Sequence, residues 1–107
     1  MGRRIRNRTI ALIREQVRSG ACLYSLHAFD EMRDEDLLQA DVERAVGAGV
    51  IVATLTRDDR GTRYAIRGPG LDGRPVGVIC RILRSDRIRT VTVFRIYSED
   101  PHEEDSP

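Results

Sequence analysis

The sequence predicts an α+β fold in which N-terminal helices pack on one face of a four-stranded antiparallel meander sheet. Before residue 49, apolar side chains recur with the spacing of amphipathic helices, and after it they alternate with polar ones, as in strands. Short polar joins divide the second half of the chain, and such joins connect consecutive antiparallel strands. The helices are therefore expected first and the strands after them.

The first predicted helix covers residues 4–19 and carries one apolar stripe. Ser19 and Gly20 end it, since glycine readily adopts the left-handed conformation that closes a helix. The residues of the stripe are Ile5, Thr9, Leu12, Ile13 and Val17.

A second helix is predicted from Leu26 to about Asp34, after a short extended piece at Cys22–Tyr24. Ser25 precedes it and is a good N-cap, because its hydroxyl group can accept a hydrogen bond from the first turn. The apolar residues expected to face the core are Leu26, Phe29 and Met32. The solvent-exposed face of this helix is then expected to carry His27, Asp30 and Glu31, with His27 and Glu31 one turn apart.

The third helix is expected from about Ala40 to Ala48, with Asp41 in its first turn, where carboxylates are favoured. Its buried side is expected to carry Val42, Ala45 and Val46. Gly49 ends it, and the apolar period then changes to that of a strand.

Four strands follow, and the last two form the central hairpin. The first two are predicted at Val50–Arg57 and Arg63–Arg67, joined by a turn at Asp58–Gly61, and the hairpin extends from Arg74 to Tyr97. Strict alternation in its second arm places five residues on one side, Ile88, Thr90, Thr92, Phe94 and Ile96. The other side then carries Arg89, Val91, Val93, Arg95 and Tyr97.

Composition predicts one domain over residues 1–97, followed by an acidic, disordered tail at 98–107. No apolar run approaches the length of a bilayer crossing, and basic Met1–Arg8 is not followed by an apolar signal core. We therefore expect a cytoplasmic protein without a membrane partner. Cys22 and Cys80 fit reduced core residues better than a disulfide or a metal site.

The basic residues suggest an anionic partner, because all 18 are arginine and most lie in the first helix and the strands. Arginine is the better planar donor to phosphate. We expect five arginines on the sheet face that the helices leave open: Arg63, Arg67, Arg81, Arg89 and Arg95. Such a row suits a phosphodiester backbone. The alternative is a solvated surface on which arginine stems cover apolar neighbours.

His27 is the one histidine in the predicted folded region, and histidine exchanges protons readily near neutral pH. A capping or hydrogen-bonding role is the alternative. His27 and Glu31 lack a third ligand for a metal site, so no metal or cofactor is predicted. Ser25 and Cys80 have no evident base partner for nucleophilic catalysis.

Four segments together resemble the bacterial domain-of-unknown-function family 4258. They are Ser25–Met32, Asp41–Val46, Gly68–Cys80 and Val91–Phe94, and the resemblance covers roughly residues 8–97. It implies a fold similar to RelE-like and MqsR-like toxins, which are metal-independent ribonucleases and ribosome-dependent mRNA interferases. Members look like components of toxin–antitoxin systems, so a cognate antitoxin is an expected partner.

Two functions from different classes follow. The first is a metal-independent, RNA-cleaving toxin in which Arg67 and Arg81 clamp the phosphate and His27 or Tyr97 transfers protons, with RNA or the ribosome as partner. The second is a non-enzymatic module that binds RNA or a protein through the arginine face. The family pattern often has an arginine where this chain has Glu31 and a histidine where it has Gly77, which favours the second function if either residue is catalytic in relatives. The oligomeric state is left open.

Overall fold

The computed structural model describes the backbone of residues 2–56, 61–83 and 86–97, and the side chains of the same ranges from residue 8 onward. The α+β class is confirmed, with helices before most of the strands. The helices are α1 (Gly2–Arg18), α2 (Leu26–Asp34) and α3 (Gln39–Ala48). The strands are β1 (Leu23–Tyr24), β2 (Val50–Leu55), β3 (Arg63–Pro69), β4 (Pro75–Ile82) and β5 (Ile88–Arg95). The predicted turn at 58–61 and tail at 98–107 lie wholly or mainly outside the described residues.

The sheet has five strands in the order β1-β5-β4-β3-β2, so the predicted four-stranded antiparallel sheet is wrong in one strand. β2 to β5 form the expected antiparallel meander, whereas β1 pairs with β5 in parallel. The extended segment before α2 forms β1 because its main-chain groups hydrogen-bond to the outer edge of β5, which no other strand covers in the described sheet. Ser25 prolongs this contact by donating its backbone N–H to the Thr90 carbonyl oxygen at 2.9 Å.

The core lies between the helices and one face of the sheet. The predicted buried side of α3 is confirmed, since Val42, Ala45 and Val46 are each no more than 1% exposed. Ile13 and Val17 of α1 are also buried, as predicted. The sheet contributes alternate residues of β3, β4 and β5, including Ile66, Val76, Val78, Cys80, Ile88 and Val93.

The predicted buried side of α2 is only partly right. Met32 is buried, but Leu26 is 83% exposed and Phe29 is 46% exposed, while Ala28 is completely buried. The buried stripe is therefore Ala28 and Met32, one turn apart. α2 begins directly after β1 and lies against β5, and this rotates its buried stripe away from Leu26. The N-cap role of Ser25 is confirmed by its hydroxyl oxygen, which accepts the backbone N–H of Ala28 at 3.0 Å.

A bulge in β5 overturns the strict alternation predicted there. Ile79 pairs with Thr92 and Cys80 pairs with Thr90, so Val91 is an extra residue without a pairing partner on β4. Before the bulge, Ile88 and Thr90 are buried, and after it the buried residue is Val93. The predicted grouping of Thr92 and Phe94 with Ile88 and Thr90 is therefore wrong.

None of the described helices is both long enough and apolar enough to cross a bilayer.

Candidate functional site

Three arginines lie side by side on the three central strands of the sheet, near one end of each strand. Arg63 on β3 pairs with Arg81 on β4, and Arg81 pairs with Arg89 on β5. They share the sheet face opposite the core, because the core residues Ile66, Val78 and Cys80 occupy the alternate positions. We call Arg63, Arg81 and Arg89 the arginine row. The sequence prediction that these three share a face is confirmed.

The arginine row places three guanidinium groups at directly opposed positions of adjacent strands. Leucines continue the row at both ends, since Leu55 on β2 pairs with Arg63 and Leu23 on β1 pairs with Arg89. The row thus combines concentrated positive charge with apolar side chains at its ends. This composition suits a ligand that carries phosphates and flat apolar groups.

His27 lies at the β5 end of the arginine row. A cleft of about 340 Å³ is lined there by Ser25, His27, Arg81, Leu83, Arg89 and Val91. The His27 side chain is 68% exposed, so its ring is accessible to a ligand in the cleft. The tertiary structure therefore brings His27 together with Arg81 and Arg89, from α2, β4 and β5.

Glu31 holds His27 from one turn further along α2. Its Oε2 atom lies 3.3 Å from Nε2 of His27, and its Oε1 atom accepts the backbone N–H of Val93 at 3.0 Å. The Glu31 side chain is 26% exposed. A carboxylate fixed by the main chain of β5 thus orients the imidazole ring, an arrangement common to catalytic histidines.

Ser25 fixes the start of the same helix on β5. Its hydroxyl group donates to the Val91 carbonyl oxygen at 2.9 Å while it caps α2 through Ala28. The hydroxyl group therefore both donates and accepts a hydrogen bond in attaching α2 to β5. Its bond to Val91 at the bulge sets where His27 stands relative to the arginine row.

Arg67 does not join this cluster. It is on the same face of β3 as Arg63 but pairs with Gly77, four residues along the strand, or roughly 13 Å away. It lines a separate cleft of about 380 Å³ with Val50, Gly68 and Pro75. The structure therefore does not place Arg67 beside Arg81 for a shared clamp on one phosphate.

Tyr97 lies at the other end of α2 from His27. Its side chain is 70% exposed, and its O–H group donates to Oε2 of Glu35, the C-cap of α2, at 2.5 Å. This hydrogen bond to the Glu35 carboxylate raises the pKa of Tyr97. Tyr97 is thus separated from His27 by the length of α2 and is not brought to the arginine row.

The predicted placement of Arg95 on the open face is wrong. Arg95 pairs with buried Val76, and its side chain is only 13% exposed. Its Nε atom donates to the Glu35 carbonyl oxygen at 3.0 Å, and its guanidinium lies 3.5 Å from the Asp72 carboxylate. The bulge at Val91 causes this reversal, because every later residue of β5 changes face.

The prediction of reduced core residues is confirmed for Cys80 and only partly right for Cys22, which is half-buried. Both are free thiols, Cys80 is buried, and burial raises its pKa to about 12. Burial also raises the pKa of Cys22. These thiols are poor nucleophiles, since the thiolate is the reactive form. Among the described residues, no three side chains of histidine, cysteine or acidic type cluster as a metal site needs.

The positioning role of Glu31 could not be read from the sequence. The i, i+4 spacing to His27 indicated a pair on one helix face, but the bond that fixes Glu31 comes from Val93 on β5. Similarly, Leu23 and Leu55 carry no sequence signal that places them on the arginine row. Their positions follow from strand pairing alone.

The fold and the site define a small α+β protein with a basic sheet face and a histidine beside it. The chain belongs to the family described as a domain of unknown function, DUF4258, whose model matches residues 24–95. The matched region contains the arginine row, His27 and Glu31. No curated protein and no solved structure matches the chain significantly. The family membership is thus shown, and the likeness to RelE-like and MqsR-like toxins has no support from these comparisons.

Proposed function

We propose that this protein is a metal-independent endoribonuclease that binds RNA on the arginine row and uses His27 for proton transfer. The observation that supports it is the common cleft of His27, Arg81 and Arg89. Cleavage of RNA needs a group to take the proton of the 2′-hydroxyl and cations to balance charge on the phosphate. These residue types meet in this cleft.

In the proposed reaction, the 2′-oxygen attacks the adjacent phosphorus while its proton passes to the His27 imidazole. The bond from phosphorus to the 5′-oxygen breaks, and that oxygen takes a proton from the imidazolium or from water. The products are a 2′,3′-cyclic phosphate and a 5′-hydroxyl end. Arg81 and Arg89 balance the charge that develops on the non-bridging oxygens, and Glu31 keeps the imidazole in place.

The test is cleavage of a fluorescent single-stranded RNA in the presence of EDTA, with the ends identified by mass spectrometry. We expect cyclic phosphate products from the wild type and a loss of about 10²-fold or more for His27→Ala, the typical contribution of a general base. His102→Ala is the matched control and should retain the wild-type rate. Cleavage unchanged in His27→Ala contradicts the assignment.

In bacteria, such an activity on cellular RNA would arrest growth, as expected of the toxin of a toxin–antitoxin pair. Controlled induction of the wild type should stop growth, and His27→Ala at equal abundance should relieve the arrest. Arrest by both proteins would leave a toxin in which His27 plays no part. A cognate antitoxin and action on the ribosome belong to the same proposal.

A non-enzymatic RNA-binding module is the second candidate. It is favoured by the separation of Tyr97 and Arg67 from His27, which leaves His27 as the single predicted proton-transfer residue among the described residues that line the cleft. Such a module should bind RNA with an affinity that falls steeply with salt and should release no product. Binding without cleavage by the wild type would select this function.

A further inference from the structure

The arginine row is longer than one phosphate group can cover. Adjacent strands lie about 4.8 Å apart, so the Cα atoms of Arg63 and Arg89 are separated by about 10 Å. The cleft that contains His27 is lined by Arg81 and Arg89 but not by Arg63. Arg63 lines a second cleft of about 330 Å³ with Thr54, Leu55 and Thr56. The arginine row therefore extends from the cleft that contains His27 to this second cleft.

The composition of this second cleft suits a nucleotide. Arginine is a frequent donor to phosphate oxygens, and Leu55, which pairs with Arg63 and is 37% exposed, offers an apolar contact to a base. None of the described residues that line this cleft is a histidine, so they offer groups for binding without a histidine for proton transfer.

We propose that Arg63 forms a subsite for the phosphate next to the scissile one, with Leu55 beside it on the same sheet face. The substrate is then single-stranded RNA with at least two phosphates, lying across β5, β4 and β3 rather than along one strand. This inference rests on the proposed function and adds to it the substrate class and the path of the backbone.

Two arguments support this path. Arg67 extends the positive charge along β3, but it lines a different cleft about 13 Å from Arg63. An RNA backbone that followed β3 would therefore move away from His27. The paired registers instead lead directly from Arg63 through Arg81 to the cleft of His27. Single-stranded RNA can also rotate its 2′-oxygen into line with the leaving oxygen, whereas an A-form duplex holds it out of line.

The test compares two ligands that differ by one phosphate, UpU and UpUpU, both 2′-O-methylated so that they cannot be cleaved. Affinities are measured at low salt by NMR titration. For the wild type we expect UpUpU to bind about tenfold more tightly than UpU, the order expected for a hydrogen-bonded contact to a charged group. Arg63→Gln should remove this gain and leave UpU binding unchanged. Arg44→Gln, an exposed arginine of α3, is the matched control and should keep the gain.

Salt dependence gives a second readout with a longer 2′-O-methyl RNA. Each phosphate contact on a single strand contributes about 0.7 to the slope of log affinity against log salt, so Arg63→Gln should reduce the slope by about that amount. A tenfold gain that persists in Arg63→Gln, or an equal loss for UpU and UpUpU, overturns the subsite. A wild type that binds neither ligand overturns the site as a whole. Cleavage of unmodified UpUpU tests the enzymatic function separately, so the two failures are distinguishable.

Discussion

At the scale of single residues, buried polar groups in this protein serve to connect segments distant in sequence. Asp41 is the clearest example, since it is only 6% exposed. Its Oδ2 atom accepts the N–H of Leu38 at 2.8 Å, and its Oδ1 atom accepts the N–H of Leu71 at 2.7 Å. One carboxylate thus holds both the start of α3 and the loop before β4.

We predict that Asp41→Ala lowers the free energy of unfolding by about 3 kcal/mol, because it removes two hydrogen bonds to a charged acceptor. Glu43→Ala, an exposed position on the same helix, should change it by less than about 0.5 kcal/mol. Urea denaturation followed by circular dichroism measures both values. Equal effects of the two substitutions would show that the Asp41 bonds contribute little.

The side chains around α2 and β5 differ in whether they are bonded within the protein or accessible to a ligand. Ser25 and Arg95 are occupied by bonds to main-chain atoms of β5 and α2, respectively. His27, by contrast, is largely exposed beside Arg89 and is held from one side only, by Glu31. Its ring is therefore accessible from the cleft that it lines with Arg81 and Arg89.

At the scale of secondary-structure elements, the closest approach is that of α3 to β3. Gly68 lies where a Cβ atom would overlap the Ala45 carbonyl oxygen, and a Cβ at Gly49 would overlap main-chain oxygens of Ala45 and Arg67. The helix backbone therefore rests directly on the strand backbone. This contact sets the distance between the helical layer and the sheet that carries the arginine row.

We predict that Gly68→Ala destabilises the protein by about 2 kcal/mol, because a backbone contact cannot move aside as a flexible side chain does. Gly47→Ala is the matched control on α3, where a Cβ meets nothing within 4 Å. This control should stabilise the protein by about 0.5 kcal/mol, since glycine is a poor residue inside a helix. Thermal denaturation of the two variants compares them, and a neutral Gly68→Ala would contradict the close contact.

α2 and β5 form the element pair on which the candidate site depends. Ser25 and Glu31 of the helical segment bond to Val91 and Val93 of β5, and Arg95 of β5 bonds to Glu35 at the end of the helix. The bonds from Ser25 and Glu31 satisfy main-chain groups on the outer edge of β5 where β1 no longer pairs with it, whereas the Arg95 bond satisfies the Glu35 carbonyl. The same attachment brings His27 to the arginine row.

At the scale of the whole molecule, Asp72 connects the loop before β4 with β5. It accepts the backbone N–H of Arg74 at 3.0 Å and the Arg74 side chain at 2.8 Å, and it lies 3.5 Å from the Arg95 guanidinium. These hydrogen bonds from Arg74, with a smaller contribution from the charge of Arg95, lower the pKa of Asp72 below its ordinary value of 3.8.

The lowered pKa predicts how stability responds to acid. A carboxyl group with a depressed pKa in the folded state stabilises that state above its ordinary value of 3.8, and the effect is lost as the pH falls through the lowered pKa. The difference in unfolding free energy between wild type and Asp72→Asn should therefore be constant near neutral pH and shrink in strong acid. Urea titrations from pH 7 to pH 2 measure it.

A difference that stays constant across that range would contradict the role of the Asp72 charge. Added salt provides a further check, since it should weaken the exposed ion pair with Arg74 more than the backbone hydrogen bond.

The sequence by itself determined the classes and approximate positions of the elements, because apolar periodicity is local. It indicated α1, α2 and α3, the antiparallel meander from β2 to β5, the Ser25 cap and the buried face of α3. It also placed Arg63, Arg81 and Arg89 correctly on the open face, because the alternation is unbroken where they lie.

Only the tertiary structure decided the site. The alignment of Arg63, Arg81 and Arg89 in one row depends on registers between strands that are distant in sequence. The bulge at Val91 moved Arg95 to the core side, and no local pattern marks it. The fifth strand, the rotation of α2 and the fixing of Glu31 all follow from satisfying the edge of β5. Strand register and the hydrogen bonding of a sheet edge both depend on residues that are far apart in sequence. They are therefore determined only when the chain is folded.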